Sequence, residues 1–402
     1  MNSKIKDKIK ELFKNTPDDI GVSWGKKVKG GIFTGERCIV FKVKNKKPLK
    51  NISKDQILPT EVEIDNTIYK TDVWEVGEIK PLSCDNNTIN NCYDWVTIPP
   101  TNRNRIRPLM GGIKITSDAI FPSWGTLGLI AIDTETSSLI GITNNHVAVA
   151  NAFYTTDRNP WSIQNTINGS VYQNTVDVAD IIGKVIRYNP IYLIPEYNKV
   201  DGAIISITSS TIDISQSFKQ HGLSYALPME FATTEEIDDL LSSDPPIYSS
   251  GARSGVKGST DCGLTISALD VTIVVGPYMN DGAMENVYYE ELIEFTRLNP
   301  DCAWPINGGD SGSVLIANFS GIWKIIGLCF AGGYFTGYAC RIDNVANELN
   351  ISAWDESAKN FIDLSSQEII TVNGVSADKT ITCNGKTYWQ IGSGLTNNPC
   401  VE

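Results

Sequence analysis

Apolar residues along this chain fall mostly into short runs of strand length, separated by turn-forming Gly, Pro, Asn and Asp. Residues 125–133 and 138–147 predict a hairpin of two apolar strands turning at 134–137, which sets His146 at a strand end. Residues 202–207, 264–275 and 288–296 predict further strands. Near the start the period changes. Ile5, Ile9 and Phe13 recur at helical spacing among lysines, so residues 3–14 predict a short amphipathic helix with a solvated basic face. Strands are then expected at 35–44, 61–65 and 67–74, and a closing helix at 342–350.

The tail carries Asn373-Gly374 and Asn384-Gly385 between β-prone runs, which predicts small hairpins. This pattern divides the chain into an α+β module over residues 1–80, a linker over 81–104 containing Pro99-Pro100, a β-rich domain over 105–350 and a β appendage over 351–402. Its many short strands predict a mainly β fold of paired antiparallel barrels.

Composition narrows the function. With 34 Lys and Arg against 46 Asp and Glu, the formal net charge of −12 argues against a general nucleic-acid or anionic-membrane surface. No window approaches a membrane span, and the first helix lacks the apolar core and cleavage site of an export signal. Nine cysteines, an odd number, with no recognised export signal point to reduced thiols and a cytoplasmic protein. Cys84 and Cys92 flank a polar loop and could bridge under oxidation. Only two histidines and no Cys-x-x-Cys spacing leave no expectation of a metal, and no cofactor motif stands out.

The run Gly308-Gly309-Asp310-Ser311-Gly312-Ser313 is the strongest chemical signal. A serine in a glycine-rich turn presents its hydroxyl beside free backbone amides, and Gly309 and Ser311 would supply two of them to an oxyanion. A serine hydroxyl needs a base, and that base needs a carboxylate. His146 is the candidate base. His221 lies in a polar stretch and is given no role. Asp201, Asp177 and Asp180 compete as the carboxylate, with Asp201 favoured because it opens an apolar strand followed by Gly202-Ala203.

Residues 142–147, 199–206 and 309–313 together resemble the trypsin-like (chymotrypsin-fold) serine protease family in the order His, Asp, Ser, nearest to its bacterial narrow-leaf-type relatives. The resemblance covers roughly residues 105–350. It implies a double β-barrel and a serine endopeptidase with His146, Asp201 and Ser311 as its triad, acting on a protein or peptide substrate. It also implies that Asp310 needs a fixed cation, for which the segment around Arg253 matches, with Arg105 and Arg107 in reserve. The primary pocket would be lined by Pro305, Ile306, Phe330, Ala331, Gly332 and Gly333, none charged, which favours a small or apolar side chain before the scissile bond; Asp301 is the one acid within reach.

A protease-like scaffold and an acyl-ester hydrolase are the alternatives. The N-terminal module and the C-terminal appendage carry no recognisable chemistry, and are left for docking, oligomerisation or a regulatory partner.

Overall fold

Ile5, Ile9 and Phe13 share one stripe of helix α1 (Ser3–Asn15) and are all buried, each contributing roughly 1.5–3 kcal/mol. Phe13 closes edge-on against Tyr288, with ring centroids 5.2 Å apart. The structure, a computed structural model, describes residues 3–16, 20–82, 101–150, 153, 169–208, 211–212, 217–223, 230–258, 263–280, 283–299 and 304–354, and tail strands at 371–372, 375–376, 379–383 and 386–390.

After α1 come β1 (Gly21–Lys29), β2 (Ile32–Val43), β3 (Glu61–Ile64), β4 (Thr67–Glu75) and the two-residue β5 (Lys80–Pro81). β1 and β2 form a hairpin (Ser23 opposite Val40), β4 runs parallel to β2, and β3 folds back on β4. The sequence sets residues 1–80 apart as a module, yet its strands do not stand alone. β1 pairs with β17 (Leu264–Asn280), placing Val22 opposite Thr272 and Gly25 opposite Ala268, so the N-terminal strands extend a larger sheet.

Two curled, predominantly antiparallel sheets make a mainly β fold, as the strand pattern predicts. The first contains β6 (Ile113–Ser117), β7 (Gly125–Leu127), β8 (Leu129–Asp133), β9 (Leu139–Thr143), β10 (Ser170–Tyr172), β11 (Ile181–Tyr188) and β13 (Ala203–Ser206). β22 (Ile351–Ser352) closes its edge against β8, so the first residues assigned to the appendage belong to this sheet. The second is built on β17 and β18 (Ala283–Arg297), with β12 (Tyr197–Asn198), β14 (Glu230–Phe231), β15 (Ile247–Gly251), β16 (Gly255–Lys257), β19 (Val314–Phe319), β20 (Ile322–Gly332) and β21 (Thr336–Arg341). The closing helix spans Ile342–Leu349. In the tail, Thr371–Val372 pairs with Val375–Ser376, and Lys379–Cys383 with Lys386–Gln390. Cys84 and Cys92 lie outside the described residues. Cys38, Cys329 and Cys340 are buried and free. No helix among the described residues is long and apolar enough to cross a membrane.

A buried ion pair ties the N-terminal strands to the second sheet. Lys42 on β2 donates to Glu294 Oε2 on β18 at 2.6 Å, and both side chains are fully buried. Ser267 and Tyr338 hydroxyls complete the carboxylate at 2.7 and 2.8 Å, and the Lys42 ammonium sits 4.7 Å from the Trp74 ring centroid. Burial lowers the Lys42 pKa while Glu294 raises it. Lys42→Met therefore leaves a buried carboxylate without its cation and is expected to destabilise the fold by about 3–5 kcal/mol. The double variant Lys42→Met/Glu294→Leu should recover part of that loss, read by urea denaturation and by hydrogen exchange in β1 and β2.

Candidate active site

His146 and Asp201 come together in the first sheet. β9 ends at Thr143 and the chain turns at once into α2 (Asn145–Ala148), so His146 lies on a one-turn helix rather than at the strand end its apolar context predicts. The reason is local. Asn144 O accepts from the amides of Val147 and Ala148, and Asn144 Nδ2 donates to Asp201 O at 2.7 Å, tying the turn to the approach of β13.

Asp201 is fully buried, with Oδ2 2.7 Å from His146 Nδ1 and Oδ1 accepting the His146 N–H at 3.2 Å. Its own N–H points at Cys340 Sγ, and Tyr278 OH reaches Oδ2 at 3.4 Å. Tyr278, on β17, is a contact the sequence reading missed; burial, then the nearby Asp201 charge, raises its pKa well above 10. The competing acids are engaged elsewhere: Asp180 binds Arg105, Thr175 and Asn174, and Asp177 caps the amide of Ala179. His221 lies apart from this pair, its N–H on Gly111 O and its carbonyl on Ser250 Oγ, with its pKa lowered by burial.

Ser311 is fully buried in the turn before β19. Gly309 and Gly312 take φ of +96° and +90°, and a side chain on Gly309 would collide with the Trp124 ring, so the turn requires glycine there. Ser311 Oγ donates to Phe330 O at 3.2 Å, while His146 Nε2 is buried without a hydrogen-bond partner. The imidazole is thus held at Nδ1 and vacant at Nε2, with the hydroxyl turned to a carbonyl of β20.

Asp310 is held differently from expectation. The segment around Arg253 does meet it, but through backbone: the N–H groups of Arg253 and Ser254 each reach Oδ1 at 2.9 Å. Ser254 Oγ and the Asn307 N–H bind Oδ2 at 2.5 and 3.0 Å. Among the described residues the cation at ion-pair distance is Lys257, 3.6 Å away, so the role expected of the Arg253 guanidinium falls to a lysine four residues on. The cause is close packing: a side chain on Gly251 would collide with the carboxylate, so the main chain passes near enough for its amides to bind. The reserves are elsewhere too, Arg105 on Asp180 and Arg107 on Gln173. Lys257 also donates to the carbonyls of Trp304 and Pro305, fixing the segment that leads into the serine turn.

Of the expected pocket residues, Ile306 and Phe330 are buried, and Ala331 and Gly332 close β20. A Cβ on Gly332 would stand 2.7 Å from Ile306 Cγ2 and 3.4 Å from Leu82 Cδ1. A Cβ on Gly333 would stand 3.2 Å from Val76 O. Asp301 lies outside the described residues. Leu82, placed in the linker by sequence, is therefore the side chain beside the pocket, and its main chain goes further. The Gly309 N–H, expected to serve an oxyanion, donates to Leu82 O at 2.7 Å.

No protein-family model matches the chain, and no curated protein sequence matches it. Among solved structures it is similar to Cellulomonas bogoriensis chymotrypsin, at 14% identity over 61% of this chain and 98% of that one, with a TM-score of 0.36. It is also similar to Thermobifida fusca protease A, at 15% identity over 61% and 97% with a TM-score of 0.37, and to Nocardiopsis protease, at 14% identity over 61% and 99% with a TM-score of 0.38.

Burial lowers the Lys257 pKa to about 8, against the opposing pull of Asp310. An unfolded lysine keeps its proton to about 10.5, so between about pH 8 and 10.5 the unfolded chain binds more protons than the folded one. Stability from this group alone therefore rises with pH across that window. Lys257→Met should flatten that rise and, near neutral pH, destabilise by about 3 kcal/mol, the low end for a broken buried pair because four N–H and O–H donors still hold Asp310. Denaturation of both proteins across that range checks both outcomes.

Proposed function

We propose that this chain is a serine endopeptidase that cleaves peptide bonds through Ser311, His146 and Asp201 by way of an acyl-enzyme. The observation that carries the reading is the buried His146–Asp201 pair, which engages Nδ1 and leaves Nε2 unpartnered. With Nδ1–H donating its hydrogen bond to Asp201, Nε2 carries the free lone pair. Ser311 Oγ must leave Phe330 O and turn to Nε2.

His146 then takes the hydroxyl proton as Oγ attacks the acyl carbon. Asp201 stabilises the imidazolium, and His146 returns the proton to the departing amine. Water hydrolyses the acyl-enzyme by the same relay in reverse. The Gly309 and Ser311 N–H groups are assigned to the tetrahedral oxygen, where losing one such donor costs about 3–4 kcal/mol in transition-state stabilisation. The bonds on Asp310 hold that turn in place. The uncharged lining, with Ile306 beside Gly332, fits an apolar side chain before the scissile bond.

A fluorophosphonate probe is expected to modify Ser311, located by peptide mass mapping. Ser311→Ala should abolish the modification and His146→Ala should slow it by about a thousandfold or more. Modification that persisted at full rate in His146→Ala would overturn the assignment, and matched amide and ester substrates separate a peptidase from an esterase.

A further inference from the structure

Resting on that reading, we propose a further activity: the chain is its own substrate and cuts itself between Leu82 and Ser83. The placement of residues 76–82 carries the inference. β19 stays paired with β20 only as far as Val314 opposite Leu328, leaving the end of β20 with an open edge. β5 fills that edge antiparallel, with Pro81 opposite Ala331 and Lys80 opposite Gly332. An extended strand added to a sheet edge is how a polypeptide ligand is held by backbone bonds, with alternate side chains left for pockets.

The chain is anchored at intervals on the way in. Val76 N–H donates to Val43 O, Gly276 N–H to Ile79 O, and Leu82 N–H to Phe330 O, at 2.9, 3.0 and 3.1 Å. At the end of this run the Gly309 N–H, the donor assigned to the reacting oxygen, donates to Leu82 O at 2.7 Å. The Leu82 side chain is buried beside Gly332, next to Ile306, where an apolar group is called for. Phe330 O binds both the Leu82 N–H and Ser311 Oγ, so the strand and the nucleophile share one acceptor. Leu82 is the residue whose carbonyl, amide and side chain all occupy substrate positions.

The step balances without a further reagent except water. Ser311 Oγ bonds to the Leu82 carbonyl carbon, and the carbon–nitrogen bond to Ser83 breaks. The Ser83 nitrogen leaves as an amine carrying the proton relayed by His146. Water then releases Leu82 as a carboxylate. The two pieces stay together through β1 on β17 and Lys42 on Glu294, so the nicked protein remains one particle under native conditions.

Intact-mass analysis of the purified full chain under denaturing conditions tests this. The expected result is two fragments, one ending at Leu82 and one beginning at Ser83, whose masses sum to the whole chain plus one water, co-eluting in native size exclusion. Ser311→Ala should remain whole. Leu82→Met should still cut, whereas Leu82→Asp should cut at least about tenfold more slowly, because a carboxylate does not fit an apolar pocket. Leu82→Asp, with its strand loosened, should also react faster with the fluorophosphonate than Ser311-intact wild type does. A wild-type chain that stays whole, or is cut at another bond, while Leu82→Asp is modified at Ser311 overturns self-cleavage and leaves the peptidase standing. If folded Leu82→Asp is not modified either, the peptidase reading fails and self-cleavage fails with it.

Discussion

The serine turn depends on burying one carboxylate. Asp310 is almost wholly enclosed, and an unpaired charge there would not be tolerated in a folded chain. Its donors come from Ser250–Gly255-side backbone, from Asn307 and from Lys257, so burying Asp310 pulls β15 and β16 against the turn that carries Ser311. That pull sets the left-handed Gly309, aims its N–H at Leu82 O and closes the turn against Trp124. The direction of the Gly309 N–H is a consequence of how a neighbouring negative charge is satisfied.

The two halves of the site are joined by the same economy of groups. Ser311 O accepts the Thr126 N–H from the first sheet, and Thr126 Oγ1 donates to Gly309 O, so the serine turn is bonded directly to β7. His146 and Asp201 belong to that first sheet, and Tyr278 and Cys340 reach Asp201 from the second. A shift of one sheet against the other would break bonds at Thr126 and Asp201 together. Packed interiors resist such shifts because they have few voids to absorb them.

The sequence made the candidates Ser311, His146 and Asp201 legible because each sits in a local pattern, a glycine turn or the end of an apolar strand, and the order of the three motifs could be read along the chain. The strands and both long helices were legible for the same reason: period and turn residues are local. What escaped depends on distance in sequence. Lys257 stands 53 residues from Asp310 and follows no motif, and the Arg253 segment does its work with amides, which every residue carries. The short helix under His146 was misread as strand because its apolar residues Val147 and Ala148 look the same in either state. Leu82 was invisible, since a two-residue strand has no period and its partner is an edge that exists only once β19 and β20 have formed.

That edge gives the N-terminal strands a use that their own sequence does not announce. A peptide arriving from solution must give up its freedom to lie along β20, whereas residues 76–82 arrive already confined by β1 on β17 and by Val43 and Gly276. Such confinement is worth an effective concentration far above that of any free peptide. It works in both directions. The attachment that delivers Leu82 to Gly309 also keeps it there, with the oxygen on the amide and the side chain against Gly332, so under the proposed peptidase reading any other peptide must first displace a strand with this local advantage. The buried Lys42–Glu294 pair helps hold the sheet from which that strand is delivered.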